Sequence, residues 1–191
     1  MKSNVKANAA AEPAKKQGVR GEIYDWIQCI VTALIFCVLL FVFCVRLVDV
    51  VGDSMNPTLY NGDKMVVSDL FYSPKQGDIV IFRKDSYKKE ALVKRVIAVE
   101  GQTVEIDFDK GVVYVDGQAL DEPYIAEPTH NMIDFKGAQT VPEGCVFVMG
   151  DNRNDSRDSR DSMIGMIDER EITGKVYFTI FPIDHIGNPN E

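Results

Sequence analysis

Between Asp25 and Arg46 the chain runs for 20 residues, Trp26 to Val45, without one charged side chain. At 1.5 Å per residue a helix of that length covers about 30 Å, the hydrocarbon thickness of a bilayer. The run predicts a transmembrane helix over 23–47, preceded by a basic tail, 1–22, and followed by a domain, 48–191. A cleavable signal peptide would carry a shorter apolar stretch of about 7–15 residues, and Val50 and Gly52 offer it only a weak cleavage site. Five basic residues (Lys2, Lys6, Lys15, Lys16 and Arg20) lie before the span, whereas Arg46 and Lys64 are the only ones in the next twenty or so after it. The positive-inside bias then predicts a single-pass protein of the cell membrane with a cytoplasmic N-terminus and an extracytoplasmic domain. Residues 1–20, rich in Ala, Lys and Asn, are expected to form a disordered tail.

The net charge of −8 is unevenly placed: residues 46–191 carry 16 basic and 26 acidic side chains. Such a domain would repel a polyanion, so no nucleic-acid partner is expected. Cys29, Cys37 and Cys44 lie in the apolar run near one helical face, as packing residues. Cys145 is the only cysteine beyond them, which leaves the domain no internal disulfide. Two histidines, His130 and His185, and no CxxC pair give a zinc site little to be built from. No cofactor is expected.

After the span, strand signals dominate. Lys64–Ser68, Asp78–Phe82, Ala91–Val99, Thr103–Phe108, Val112–Val115, Cys145–Met149 and Lys175–Phe181 are short runs rich in Val, Ile, Phe and Tyr. Turn signals such as Asn61-Gly62-Asp63, Gln76-Gly77-Asp78 and Asp116-Gly117 separate them. About seven strands joined by tight turns predict an all-β domain whose edges are closed or covered. The stretch from Asp121 to Gln139, with two prolines and His130, reads as a long surface excursion.

Two ways to activate a serine nucleophile can be set against these elements. A Ser-His-Asp triad finds both histidines in loop-like sequence and no G-x-S-x-G signature. A serine can instead be activated by a lysine kept neutral through burial. Lys94 sits in Ala91–Val99 with Leu92 and Val96 two residues away on the same face, and an amine among aliphatic groups loses hydration and basicity. The competing reading is a solvated edge-strand lysine. The candidate nucleophile, Ser54, lies just beyond the span, with Gly52 before it and Pro57, which stiffens the turn, three residues after it; the bland alternative is a Ser/Asn/Pro linker.

At this point the sequence resembles a known family. Gly52–Leu59, with its Ser-Met-x-Pro-Thr-Leu core, is similar to the nucleophile box of type I signal peptidases, the membrane-bound Ser/Lys endopeptidases that cleave N-terminal signal peptides from secreted preproteins. Three further boxes follow in the family's order: Gly77–Phe82, Val93–Ala98 and Gly150–Arg160. Val112–Ile125, reading VVYVDGQALDEPYI, matches as well. The resemblance covers roughly Trp26 to Pro182 and is to the short Gram-positive-type members.

The resemblance implies a signal-peptidase-like β domain in which Ser54 is the nucleophile and Lys94 the general base. Ser156 would hydrogen-bond the Lys94 amine, with Ser159 as the alternative if the repeated Asp-Ser-Arg is shifted in register. Asp158, Arg160, Arg95 and Asp151 would hold the site in shape through ion pairs. Met55, Leu59 and Val93 match positions lining shallow pockets for small side chains at the first and third positions before the cut, and such pockets select by exclusion. The Ser54 N–H would supply one oxyanion donor; Gly52 stands where some members carry a second, hydroxyl donor. The expected partners are signal-peptide-bearing preproteins and the lipid bilayer. Leu70-Phe71-Tyr72 reads either as core or as a loop dipping into the outer interface. Two rivals bear weighing: a self-cleaving repressor-type Ser/Lys protease, which would carry a DNA-binding helical domain where this sequence has its apolar span and is disfavoured on that ground, and a membrane-anchored β module that binds peptides or envelope components without catalysis.

Overall fold

The computed structural model describes residues 19–84 and 86–190, so most of the expected disordered tail lies outside the described residues. Helix α1 spans Val19–Cys44, beginning inside the stretch assigned to the tail. Within it Gly21–Leu39 is long and apolar enough to cross a membrane, with a mean hydropathy of 1.7. Trp26, Leu34, Phe36 and Phe41 are exposed along this helix. Leaving so much apolar surface in water would forgo roughly 1.5–3 kcal/mol per large side chain, whereas a lipid environment accommodates it.

The helix does not reach residue 47. Arg46 and Leu47 belong to strand β1, Arg46–Asp49, which pairs antiparallel with β2, Lys64–Ser68, so that Arg46 lies opposite Val67. The remaining strands are β3 (Ile79–Lys84), β4 (Lys88–Val99), β5 (Thr103–Asp107), β6 (Val112–Val115), β7 (Gln118–Ala119), β8 (Gln139–Thr140), β9 (Cys145–Met149), β10 (Ile167–Asp168) and β11 (Ile172–Phe181). Seven of the eleven correspond to the runs read from sequence; β1, β7, β8 and β10 are additional.

The all-β reading of the domain holds. A seven-stranded sheet has the order β1-β2-β11-β3-β4-β9-β10, and a second sheet of four has the order β7-β6-β5-β8. The centre of the larger sheet is buried on both faces at β3 and β9, which is why these two strands read as continuous apolar runs, whereas β2 alternates and β1 and the end of β11 are exposed. Along β3, Ile79 and Ile81 join a cluster with Val50, Met55, Leu59 and Met65, while Val80 and Phe82 join Val96, Val146 and Val148. The smaller sheet buries Val104, Ile106, Val113 and Val115 against Ile97, Phe147 and Met149.

The excursion over 121–139 is irregular as expected but is not confined to the surface. Phe135 is buried with the smaller sheet, edge-on to Phe147 at 5.7 Å between ring centroids. Leu70 and Phe71 are exposed, Phe71 almost fully at 98%, so the core reading of that triplet does not apply to them. Tyr72 instead donates to Asp78 Oδ2 at 2.8 Å.

Candidate active site

Strand β4 lies between β3 and β9, not at an edge, and this placement decides the state of Lys94. Val80 of β3 lies opposite it in register, the next residue, Arg95, pairs with Met149 of β9, and Lys94 is only 2% exposed. Its amine is 2.6 Å from Ser54 Oγ and donates to the Val93 carbonyl at 2.9 Å. Burial pushes Lys94 down to about 8, because the charged form loses hydration; Asp158 and Asp151 oppose the fall and Arg160 adds to it. A substantial fraction is therefore neutral near pH 8, and a neutral amine offers a lone pair to the Ser54 hydroxyl.

Ser54 is carried by a turn folded back on itself. Thr58 N–H and Leu59 N–H both donate to the Met55 carbonyl, at 2.9 and 3.0 Å, and Met55 and Leu59 anchor the turn in the core. The turn is tied to the Gly150–Arg160 segment from the other side. Asn152 donates its N–H to the Ser54 carbonyl and its Nδ2 to the Asp53 carbonyl, both at 3.1 Å. Thr58 Oγ1 donates to Asp151 at 2.5 Å. Among the described residues the Ser54 N–H donates no hydrogen bond, which leaves it free for a developing oxyanion. The Gly52 N–H is taken by Asn61 Oδ1 at 3.1 Å.

Two buried ion pairs frame the lysine. Arg95, next to it on β4, holds Asp151 through Nε at 2.9 Å and Nη2 at 2.7 Å, and the Tyr124 ring stacks on its guanidinium at 4.0 Å. Asp158 accepts from Arg160 Nε and Nη2, both at 2.8 Å, and from the Gly150 N–H at 3.0 Å. Burial alone would raise the Asp158 carboxyl, but its bonds to Arg160 and Gly150 hold it below the ordinary value. Arg160 in turn donates to the Asn131 and Arg153 carbonyls, each at 2.7 Å. These are the bidentate, fully satisfied pairs that a buried charge requires.

The structure brings together Ser54, Lys94, Arg95, Asp151, Asp158 and Arg160 as the resemblance implied, with three differences of detail. Ser156 is buried at 6% exposure beside Gly150, but its Oγ has no hydrogen-bond partner among the described residues and does not bond Lys94. Ser159 is excluded from the orienting role by a structural one: its Oγ accepts from the Val148 N–H at 3.0 Å. Met55 and Val93 line a cleft of about 330 Å³ with Val48, Val50, Ser54 and Lys94, whereas Leu59 does not reach it; the tight turn at Met55 directs Leu59 into the core instead. Neither histidine bonds Ser54: His130 contacts the Phe108 carbonyl and His185 the Asp63 carboxylate.

Sequence reasoning missed Arg153, buried and paired with Glu122 at 2.5 Å, along with the stacking of Tyr124. Glu122 and Tyr124 lie in the stretch Val112–Ile125 and Arg153 in Gly150–Arg160, both matched to the family, yet no spacing rule links residue 122 to residue 153.

Residues 23–181 match the family described as signal peptidase, peptidase S26. The chain is 40% identical over 175 residues, 86% of each chain, to "Probable signal peptidase I-1" of Synechocystis. It is 35% identical over 183 residues, 90% of this chain and 96% of the other, to a signal peptidase I of Bacillus licheniformis. A crystal structure of a signal peptidase I from Enterococcus faecalis aligns with a TM-score of 0.45 and 30% identity, covering 55% of this chain and 97% of that one.

Proposed function

Because the chain belongs to the signal peptidase family, peptidase S26, and is thus a serine peptidase, we propose that it is a membrane-bound endopeptidase that cleaves signal peptides from secreted preproteins with a Ser54/Lys94 dyad. The observation that carries the dyad is the 2.6 Å approach of a buried lysine amine to a serine hydroxyl. In the reaction the Ser54 oxygen attacks the scissile carbonyl as its proton passes to the neutral Lys94 amine. The carbonyl oxygen becomes an oxyanion, which the Ser54 N–H stabilises. Collapse breaks the C–N bond, and Lys94 returns the proton to the departing amine, the new N-terminus of the mature protein. The signal peptide remains as an ester on Ser54. Lys94 then takes a proton from water as the water oxygen attacks the ester; the bond between the acyl carbon and the Ser54 oxygen breaks, Lys94 returns the proton to that oxygen, and the peptide leaves as a carboxylic acid.

The cleft containing Met55 and Val93 accepts the residues before the cut, and its shallow apolar walls exclude large side chains. Ser156 turns its hydroxyl toward the amine when a substrate displaces the Ser54–Lys94 contact, giving the lysine a second acceptor. The apolar helix anchors the enzyme in the bilayer with its N-terminus in the cytoplasm and the domain 48–191 outside, on the face where preproteins emerge; acidic as it is, that domain has no nucleic-acid partner. Incubating a detergent-solubilised preprotein with wild-type and Ser54→Ala protein tests the reading. Wild type should produce the mature form and the variant none; cleavage by the variant at more than a few per cent of the wild-type rate would remove Ser54 as nucleophile.

A further inference from the structure

Residues 183–190 follow the last strand and fold back across the sheet. A short 3₁₀ turn, Ile183–His185, reverses the chain, and Gly187 then pairs with Thr179 of β11 in both directions, N–H to O at 2.9 and 3.3 Å. From there the segment reaches three parts of the site. The Pro189 carbonyl accepts from Arg95 Nη2 at 3.2 Å. Asn190 Oδ1 accepts from the Ile79 N–H at 2.8 Å, and its Nδ2 donates to the Val176 carbonyl at 2.9 Å. His185 Nδ1 meets Asp63 Oδ1 at 3.0 Å, with its ring 5.0 Å from that of Tyr60.

The placement of these contacts matters more than their number. Arg95 is the residue after Lys94, and Ile79 lies opposite Arg95 in the β3–β4 register. Asp63 closes the turn segment that begins at Val50 and carries Ser54: its carbonyl accepts from the Val50 N–H at 2.8 Å and its carboxylate from the Tyr60 N–H at 2.9 Å. One segment thus touches both the strand bearing the lysine and the loop bearing the serine. It contributes little burial in return, since Ile183 and Ile186 are 80% and 58% exposed. Between it and Thr58 and Tyr124 lies an open hollow of about 320 Å³. A segment kept for stability would bury its apolar side chains; this one leaves them in solvent and spends its polar atoms on the site.

We propose that residues 183–190 form a positioning strap for the reacting pair, with Asn190 and Pro189 fixing β3 and β4 beside Lys94 and His185 fixing the serine loop through Asp63. Asn190 is a positioning residue and touches no reacting atom. The proposal rests on the Ser54/Lys94 reading. Misplacing a reacting group by a fraction of an ångström lowers turnover more than substrate affinity, because the interaction lost is one made at the transition state. Asn190 ties Ile79 of β3 to Val176 of β11 and Pro189 holds Arg95 of β4, so freeing this segment loosens the strands around the lysine and admits water, which raises its basicity toward the ordinary value.

The test compares full-length wild type, Asn190→Ala and Asn190→Asp in detergent, with Ser54→Ala in parallel, measuring kcat, KM, the pH dependence of kcat/KM and the melting temperature. Asn190→Ala should lower kcat at least fivefold with KM within about twofold, and move the midpoint of the kcat/KM profile upward by half a pH unit or more. Asn190→Asp, which keeps an acceptor for the Ile79 N–H, should recover part of the loss, and it carries the test if the alanine variant melts below the assay temperature. A lowered melting temperature with unchanged kcat and pH profile in the folded variants would overturn the strap. If Ser54→Ala is inactive while the Asn190 variants match wild type, only the strap falls; if Ser54→Ala remains active, the dyad itself falls.

Discussion

Replacing Lys94 by Met separates the chemistry of this residue from its cost to the fold. Burial pushes Lys94 from its ordinary 10.5 down to about 8, and each pH unit corresponds to about 1.36 kcal/mol. Holding the ammonium in the folded state therefore costs about 3 kcal/mol. The sign follows from proton binding: with the folded pKa depressed, the unfolded chain binds more protons, so the penalty is complete below about 8 and fades as pH rises towards 10.5. Methionine has a similar length and no charge, so it removes the penalty. It also strips a donor from the Val93 carbonyl, worth about 1–3 kcal/mol if that group stays unpaired. Near pH 7 the variant should be as stable as wild type or up to about 2 kcal/mol more stable. With pH, the advantage of Lys94→Met should shrink by nearly the full penalty of about 3 kcal/mol between pH 7 and 10.5. At roughly 2–4 °C per kcal/mol for a domain of this size, that is about 6–12 °C. Melting temperatures of the full chain in detergent at pH 7, 8.5, 9.5 and 10.5 measure it, with cleavage assayed on the same samples. A pH-independent loss of stability, or retained activity, would refute the buried-base account.

Other substitutions probe the frame. A Cβ at Gly150 would collide with Ser156 Oγ and the Ser54 carbonyl oxygen, so Gly150→Ala should cut kcat by more than tenfold, measured beside its melting temperature; near-normal turnover would show that the turn can shift without consequence. Asp158→Ala strands the buried Arg160 guanidinium and should cost about 3–5 kcal/mol by denaturant unfolding, whereas a loss under 1 kcal/mol would mean that water reaches the pair. For topology, protease added outside intact cells should digest the domain beyond Arg46 and spare the tail, and the opposite pattern would reverse the orientation drawn from the basic residues.

The sequence carried the chemistry further than the architecture. Seven strands were legible because Val, Ile and Phe cluster between glycine turns, and burial on both sheet faces only strengthened that signal. Strand β1 was hidden because Leu47 and Val48 follow the apolar run of the helix after the single charged residue Arg46; what sets them apart is pairing with β2, a long-range contact that periodicity cannot register. The two-residue strands β7, β8 and β10 are too short to leave a pattern. Lys94 was ambiguous between a buried base and an edge guard until strand order placed β4 between β3 and β9. The same holds for Arg153 with Glu122 and for Asn190 with Ile79, whose meeting depends on how distant segments pack. Leu59 was assigned to the cleft by position in a motif, and the tightness of its turn directs it to the core.

The most direct measurement of the central claim is the labelling of Ser54 by a peptide phosphonate ending in alanine, a probe that bonds covalently to an activated serine oxygen. Its rate, followed by intact mass against pH with the site mapped by peptide mass, should rise through a midpoint near 8, the value to which burial brings Lys94. The adduct should lie on Ser54 and be absent from both Ser54→Ala and Lys94→Met. Labelling of a different residue, equal labelling of either variant, or a rate that does not change between pH 6.5 and 9.5 would contradict the assignment of Ser54 and Lys94 as the reacting pair.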